Sequence, residues 1–281
     1  MTPNRRPSRL FAAALSAAAV LLGGLACSLP ARAEGFSPDK VVKAEVLPGW
    51  RMADGQRMAA LHLRLADGWK TYWRAPGEAG IPPVFDWSGS TNLASARVIW
   101  PQPHVFDAGG MRSIGYKHDV VLPIEVTAAD PSKPVALKAK VDIGVCRDIC
   151  VPVALNLSAD LAGKGAPDPA IRKALAAQPE PARKAGLTSA ACAVEPIADG
   201  LRLTAQLDLP AQGGDETTVF ELPDKTIWIS QATTRRTGKH LTATADLVPA
   251  TGAPFALDRS KVKITVLGAG KAVELLGCPA S

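Results

Sequence analysis

The 281-residue sequence has no apolar run beyond residue 33 that approaches the length of a membrane-crossing helix. It also has almost no long stretch of helical periodicity, which excludes a mainly α-helical protein. The basic charge is not a property of the whole chain, because removing residues 1–33 removes four arginines and lowers the net charge from +6 to +2. We therefore expect no nucleic-acid partner and no transmembrane helix in the mature chain.

The first 33 residues have the pattern of a secretion signal. Three arginines precede an apolar run over residues 10–25, and residues 31–33 (ARA) form a small-residue cleavage site. The run is short for a membrane span, so we interpret residues 1–33 as a signal peptide that is removed. Cys27 leaves lipid anchoring open as a second possibility, although Gly24 stands where lipoprotein signals prefer a larger aliphatic residue. The mature protein is expected in the periplasm, where disulfides persist.

Four cysteines remain after cleavage, and four cysteines allow three pairings. The simplest pairing joins Cys146 to Cys150 and Cys192 to Cys278, since each bond then lies in a different part of the chain. In the chain-entropy model a loop of nearly a hundred residues stabilises by roughly 4.6 kcal/mol, against about 2 kcal/mol for the short ring. We expect a structural disulfide between Cys192 and Cys278. A disulfide between Cys146 and Cys150 would stabilise the fold only weakly and is easily reduced when exposed. We therefore expect this pair to be redox-active.

Alternating apolar residues indicate strands on both sides of a proline-rich segment. Gly and Pro turns separate these short strands, which favours an all-β protein with two antiparallel β-sandwiches. We expect a first domain at residues 34–161, a linker at 162–187 and a second domain at 188–281. The clearest strand patterns occupy residues 61–65, 135–145, 151–157, 201–207, 227–229 and 262–266.

The linker segment holds four prolines and one candidate helix. Asp168 can cap this helix, Pro169 suits its first turn, and residues 170–178 are good helix formers. We interpret the segment as a surface connection that contains a turn or two of helix.

Cys146 and Cys150 lie at the end of one predicted strand and the start of the next. An extended five-residue segment would hold their Cα atoms roughly 13 Å apart, whereas a disulfide needs about 4.4–6.8 Å. Residues 147–149 must therefore turn. Such a site lacks the helix amino terminus that usually stabilises a thiolate. Arg147 favours a thiolate and Asp148 disfavours it, so the sequence leaves the net effect open.

Two other functions use the same cysteines. The Cys-x3-Cys-x-Pro motif is also similar to the copper-binding loop of Sco proteins, and His104, His118 and Met111 are candidate soft ligands for Cu(I). The alternating strand that follows Cys150 stands where the Sco fold has a helix. The other alternative is a non-catalytic scaffold in which both disulfides are structural. Our leading interpretation requires neither a bound metal nor a cofactor.

Several motifs of the first half occur in a characteristic order: 67–73 (DGWKTYW), 74–83 (RAPGEAGIPP), 100–103 (WPQP), Gly115-Tyr116, Leu122-Pro123 and Cys146-x3-Cys150-x-Pro152. This series resembles the amino-terminal periplasmic domain of the thiol:disulfide interchange protein DsbD, in particular its ScsB-like branch, which is associated with suppression of copper sensitivity. The resemblance spans roughly residues 41–161, and beyond residue 188 it is to the additional β domain of ScsB-like proteins.

The resemblance implies an immunoglobulin-like sandwich that acts as a protein-disulfide reductase module, with Cys146 and Cys150 as the redox pair. A membrane thiol transporter of the DsbD/CcdA type would supply the electrons, and periplasmic thioredoxin-like proteins would be the other partners. The sequence holds neither the membrane domain nor the thioredoxin-like domain of that family, so we expect a separate membrane transporter.

A cap loop shields the disulfide in that family. The resemblance places its counterpart between residues 104 and 119, where Phe106, Met111 and Tyr116 are the candidate cap residues. Tyr72 corresponds to an aromatic residue near the family's active site.

Overall fold

The structure is a computed structural model that describes residues 37–108 and 110–280. The predicted signal peptide and Cys27 lie outside the described residues. A single 3₁₀ turn at Pro38–Lys40 precedes the first strand. The strands described in the first half are β1 (Val42–Arg51), β2 (Arg57–Leu65), β3 (Lys70–Tyr72), β4 (Val84–Asp86), β5 (Leu93–Val98), β6 (His104–Ala108), β7 (Met111–Lys117), β8 (Asp119–Ala128), β9 (Val135–Cys146) and β10 (Cys150–Leu161).

These strands form two antiparallel sheets that face each other across a hydrophobic core. One sheet has the order β1-β2-β8-β5, and the other has the order β10-β9-β3-β7-β6, with β4 paired to β9. Alternate side chains point inward, so that Leu61 and Leu63 of β2 and Val141 and Val145 of β9 are buried in the core. We call this unit the first sandwich.

Helix α1 (Pro169–Ala176) packs on the outer face of the first sandwich. Its start is as predicted, because the Asp168 side chain accepts hydrogen bonds from the backbone N–H groups of Ala170 and Ile171 at 2.7 and 3.1 Å. Ile171 is fully buried against Met58 and Ala60 of β2. The connecting segment therefore also covers apolar residues on the second face of β2.

The second half contains a further pair of sheets, which we call the second sandwich. Their orders are β11-β19-β18-β14 and β12-β13-β17-β15, with β16 paired to β17. All pairings are antiparallel except that of β11 with β19. The elements are β11 (Glu180–Pro181), β12 (Ser189–Ile197), β13 (Gly200–Asp208), β14 (Thr217–Glu221), β15 (Ile227–Ile229), β16 (Thr233–Thr237), β17 (His240–Pro249), a 3₁₀ turn at Arg259–Lys261, β18 (Lys263–Leu267) and β19 (Ala272–Leu276).

A disulfide joins Cys192 of β12 to Cys278, which follows β19. Both cysteines are buried in the core of the second sandwich. The bond therefore ties the first long strand of this unit to the end of its last strand. The all-β fold class with two sandwiches is confirmed, and no helix of the described residues is long and apolar enough to cross a membrane.

The two sandwiches share a buried junction and form one compact unit. Leu267 and Ala272 of the second sandwich belong to the hydrophobic core of the first. Arg74, two residues beyond β3, donates hydrogen bonds to both carboxylate oxygens of Glu221 at 2.9 Å and to Glu274 at 2.5 Å. The Arg74 guanidinium also lies 4.2 Å from the centroid of the buried Trp73 ring. The end of β3 is thus held by an ion cluster that crosses the junction.

Candidate functional site

The short cysteine pair closes a hairpin at the end of β9 and β10. The two strands pair in continuous register from Leu161–Val135 to Cys150–Cys146, which places the cysteines directly opposite each other. Residues 147–149 make the turn, with the N–H of Arg147 donating to the carbonyl of Ile149 at 3.0 Å. The Cα atoms of Cys146 and Cys150 are 4.1 Å apart and their sulfurs are bonded.

The two sulfurs have different access to solvent. Cys146 is 1 % exposed, because β9 is flanked by β10 on one side and β3 on the other. Cys150 begins the edge strand β10 and is exposed. A partner thiolate must reach a sulfur along the S–S axis for exchange to occur, and Cys150 is the exposed residue of this disulfide.

Tyr72 of β3 covers the disulfide from the protein side. Its hydroxyl donates a hydrogen bond to the Cys146 sulfur at 2.9 Å and lies 3.5 Å from the Cys150 sulfur. Burial raises the pKa of Tyr72, so the hydroxyl stays protonated and remains a donor at neutral pH. A donor fixed on a buried sulfur stabilises the thiolate that appears there when the disulfide opens.

Glycine at position 144 makes room for this arrangement. A Cβ atom on Gly144 would lie 2.7 Å from the Cβ of Ile81 and 3.1 Å from the Tyr72 ring. Ile81 belongs to the loop after β3 and is 40 % exposed beside the site. Neither Gly144 nor Ile81 was identified as a site residue from the sequence. The only indication for Ile81 was its place in the 74–83 motif.

The candidate cap residues lie at different places. Phe106 of β6 is half-buried, and the ammonium groups of Lys70 and Lys117 lie 5.2 and 4.9 Å from its ring centroid. Met111 is exposed at the start of β7. Tyr116 belongs to the core between the sheets, so the structure does not place it over the sulfurs.

The Tyr116 hydroxyl has its own partner in the core. It donates to the carbonyl of Pro101 at 2.8 Å, and burial raises the pKa of Tyr116 well above its usual value. Of the four aromatic and methionine candidates, Tyr72 is the one whose side chain is hydrogen-bonded to the disulfide.

The candidate copper ligands are also separated. His104 begins β6 and is exposed, whereas His118 lies between β7 and β8 with a φ of 58°. Across residues 37–108 and 110–280, no group of three or more His, Cys, Asp or Glu side chains is arranged to hold a metal ion. Tyr72, and not a histidine, is hydrogen-bonded to the cysteine sulfur.

Residues 38–161 match the family model described as "Thiol:disulfide interchange protein DsbD, N-terminal". The match supports a DsbD amino-terminal domain over this segment. The segment includes the whole first sandwich and its β9–β10 hairpin, so the resemblance found in the sequence motifs is confirmed. No curated protein sequence matches the chain.

One solved structure extends the likeness in fold into the second sandwich. The N-terminal periplasmic domain of ScsB from Proteus mirabilis is similar at a TM-score of 0.63 and 23 % identity, covering 88 % of this chain and 96 % of that one. The reduced DsbD N-terminal domain from Neisseria meningitidis is 18 % identical, covering 46 % of this chain and 91 % of that one, at a TM-score of 0.30. The ScsB likeness shows that the two-sandwich fold is shared.

The Tyr72→Phe change tests whether the hydrogen bond from the Tyr72 hydroxyl stabilises a thiolate at Cys146. In a reduced protein that carries Cys150→Ser, we expect the pH midpoint of thiolate formation at Cys146 to rise. A hydrogen bond to a charged group is worth about 1.5–3 kcal/mol, which corresponds to a rise of about 1–2 pH units. Thiolate absorbance in the ultraviolet during a pH titration measures the midpoint. Tyr116→Phe is the matched control, because that hydroxyl bonds Pro101, and an equal shift in both variants would contradict the assignment.

Proposed function

We propose that the protein is a periplasmic thiol–disulfide interchange module. It accepts electrons from a membrane thiol transporter of the DsbD/CcdA type and reduces the disulfides of periplasmic thioredoxin-like proteins. The single observation that carries this proposal is the asymmetric disulfide, in which an exposed Cys150 is bonded to a buried Cys146 whose sulfur accepts a hydrogen bond from the Tyr72 hydroxyl. The match of residues 38–161 to the DsbD amino-terminal family model supports it.

The burial of the two sulfurs suggests their roles in each direction of electron flow. In the reduced protein, the Cys150 thiolate attacks a partner disulfide, forms a mixed disulfide and displaces one partner sulfur as a thiolate. The Cys146 thiolate then attacks the Cys150 sulfur and releases the second partner sulfur. Two electrons pass to the partner, and the Cys146–Cys150 bond forms again. Recharging is the reverse, since a reduced donor attacks Cys150 and leaves Cys146 as the thiolate beside the Tyr72 hydroxyl.

The role proposed for the second disulfide is to hold the second sandwich together. Cys192 and Cys278 are both buried and lie in a hydrophobic core, where a partner thiolate has no approach. For localisation, we propose export by residues 1–33 and their removal, which would place the cysteine pair in an oxidising compartment.

The reduction potential of the Cys146–Cys150 pair tests the proposal. We expect a midpoint less negative than about −300 mV, the value below which structural disulfides typically lie. The purified protein is equilibrated in thiol–disulfide buffers of graded potential, and the free thiols are counted by alkylation and mass spectrometry. Cys192–Cys278 is the internal control and should stay bonded through the same range. A midpoint for the short pair below about −300 mV would support a non-catalytic scaffold instead.

A further inference from the structure

A pair of lysines stands on the same face of the sheet as the disulfide. Lys70 of β3 is the cross-strand partner of Cys146 on β9 and also of Lys117 on β7. Residues that are directly opposite in neighbouring strands project from the same face of the sheet. The side chains of Lys70, Lys117 and Cys146 therefore share one face, and we refer to Lys70 and Lys117 together as the lysine rim.

The two ammonium groups of the lysine rim lie over the same aromatic ring. Both approach the Phe106 ring, and Lys70 also donates to the Ser113 hydroxyl at 3.1 Å. Burial, and then the charge of Lys117, lower the pKa of Lys70. Within the part of the chain that the structure describes, neither ammonium group has a carboxylate oxygen within 4.0 Å, whereas many other surface cations do. Two like charges over one ring, with no carboxylate partner among the described residues, favour an anionic neighbour.

The other charges near the hairpin largely neutralise one another. Arg147 pairs with Asp148 at 3.0 Å, and Arg112 pairs with Asp107 at 3.0 Å. Asp67 and Asp119, the acidic residues nearest to Lys70 and Lys117 along the chain, form no ion pair with either lysine. The rim therefore places two positive charges, which have no carboxylate partner in the described part of the chain, on the same face of the sheet as Cys146.

Exposed apolar side chains complete the surface. Ile149 in the hairpin turn is 65 % exposed, and Ile81 lies against the Gly144 and Tyr72 side of the disulfide. An apolar centre with a charged margin is typical of transient protein interfaces, in which the charges steer encounter more than they add affinity.

We propose that the lysine rim selects redox partners that carry acidic side chains next to their own reactive sulfurs. This inference rests on the proposed function, and it specifies the partner by its charge. The rim attracts acidic residues of a partner and so raises the rate of encounter at Cys150. The same positive charge repels partners that have a basic surface around their disulfide.

The test uses three symmetrical peptide disulfides of equal length, in which the single cysteine of each peptide is flanked by glutamates, serines or lysines. The reduced protein reduces each peptide disulfide to two thiols while Cys146 and Cys150 become bonded. Each rate is compared with that of the Lys70→Gln/Lys117→Gln protein, so intrinsic differences in peptide reactivity cancel. The Lys239→Gln/Lys271→Gln protein is the matched control, with the same loss of charge on exposed residues of the second sandwich.

Removing the rim is expected to slow the glutamate peptide by roughly 10-fold at low salt, within the range of electrostatic steering. The lysine peptide should become faster, and the serine peptide should change by less than about 2-fold. These differences should vanish near 1 M salt, where the Debye length is about 3 Å. An equal change for all three peptides would show an effect on sulfur reactivity and overturn the charge selection. No reaction with any peptide in the unmodified protein would overturn the proposed function itself.

Discussion

The Cys146→Ser protein is expected to accumulate a mixed disulfide through Cys150, whereas the Cys150→Ser protein is not. Cys150 is exposed at the start of an edge strand, while Cys146 is 1 % exposed and lies under Tyr72. Without Cys146 there is no thiol to resolve the adduct, so the mixed disulfide persists. We expect the rates of adduct formation of the Cys146→Ser and Cys150→Ser proteins to differ by at least ~10-fold, equivalent to about 1.4 kcal/mol in the activation barrier.

Glutathione disulfide is a suitable small probe for this comparison, and mass spectrometry counts the adduct over time. The unmodified protein is the control, because its Cys146 expels the glutathione and no adduct should accumulate. Faster adduct formation by Cys150→Ser would mean that Cys146 attacks first. Absence of an adduct in both variants, at a pH where thiolates form, would argue against interchange activity at this hairpin.

The Arg74→Ala change is expected to cause the largest loss of stability among single substitutions of charged residues at the junction of the two sandwiches. Arg74 and Glu221 are 17 % and 10 % exposed, and Glu274 completes the cluster. Removing the arginine leaves two carboxylates without their main cation, and breaking a buried ion pair costs about 3–5 kcal/mol. Urea unfolding followed by tryptophan fluorescence measures the change in the free energy of unfolding, with both disulfides kept oxidised.

Two further variants separate charge burial from simple loss of a side chain. Arg97→Ala breaks an arginine–glutamate pair of 2.5 Å whose arginine is 65 % exposed, and it should cost no more than about 1 kcal/mol. The double change Arg74→Met/Glu221→Gln removes one of the unpaired carboxylates, so it should be less destabilising than Arg74→Ala. If Arg74→Ala costs as little as Arg97→Ala, the cluster does not stabilise the junction.

The strands with clean alternation could be predicted from the sequence because burial on one face imposes a period of two. Residues 135–145 and 201–207 are such cases, and they lie in β9 and β13. Burial of α1 could not be predicted in the same way. Ile171 is covered by residues of β2 more than a hundred positions earlier, and only the tertiary fold brings these residues together.

The cysteine hairpin was accessible to sequence reasoning, since the turn at 147–149 follows from the geometry of a disulfide. The surroundings of the sulfurs were not. Tyr72 reaches Cys146 because β3 pairs with β9. The positions of Tyr116 and Phe106 follow from the register of β7 against β3 and β6. That register puts Tyr116 in the core and Phe106 beside the lysine rim. Strand pairing between distant segments has no local sequence pattern, so the cap candidates could be named but not placed.

Leu267 and Ala272 of the second sandwich are part of the hydrophobic core of the first sandwich. The first sandwich, which carries Cys146 and Cys150, does not complete its hydrophobic core with its own residues alone, since the second sandwich contributes two of them. A substitution at Ala272 can therefore disturb the packing of the first sandwich, by overpacking its core or by leaving a cavity in it, although Ala272 lies far along the chain from Cys146 and Cys150.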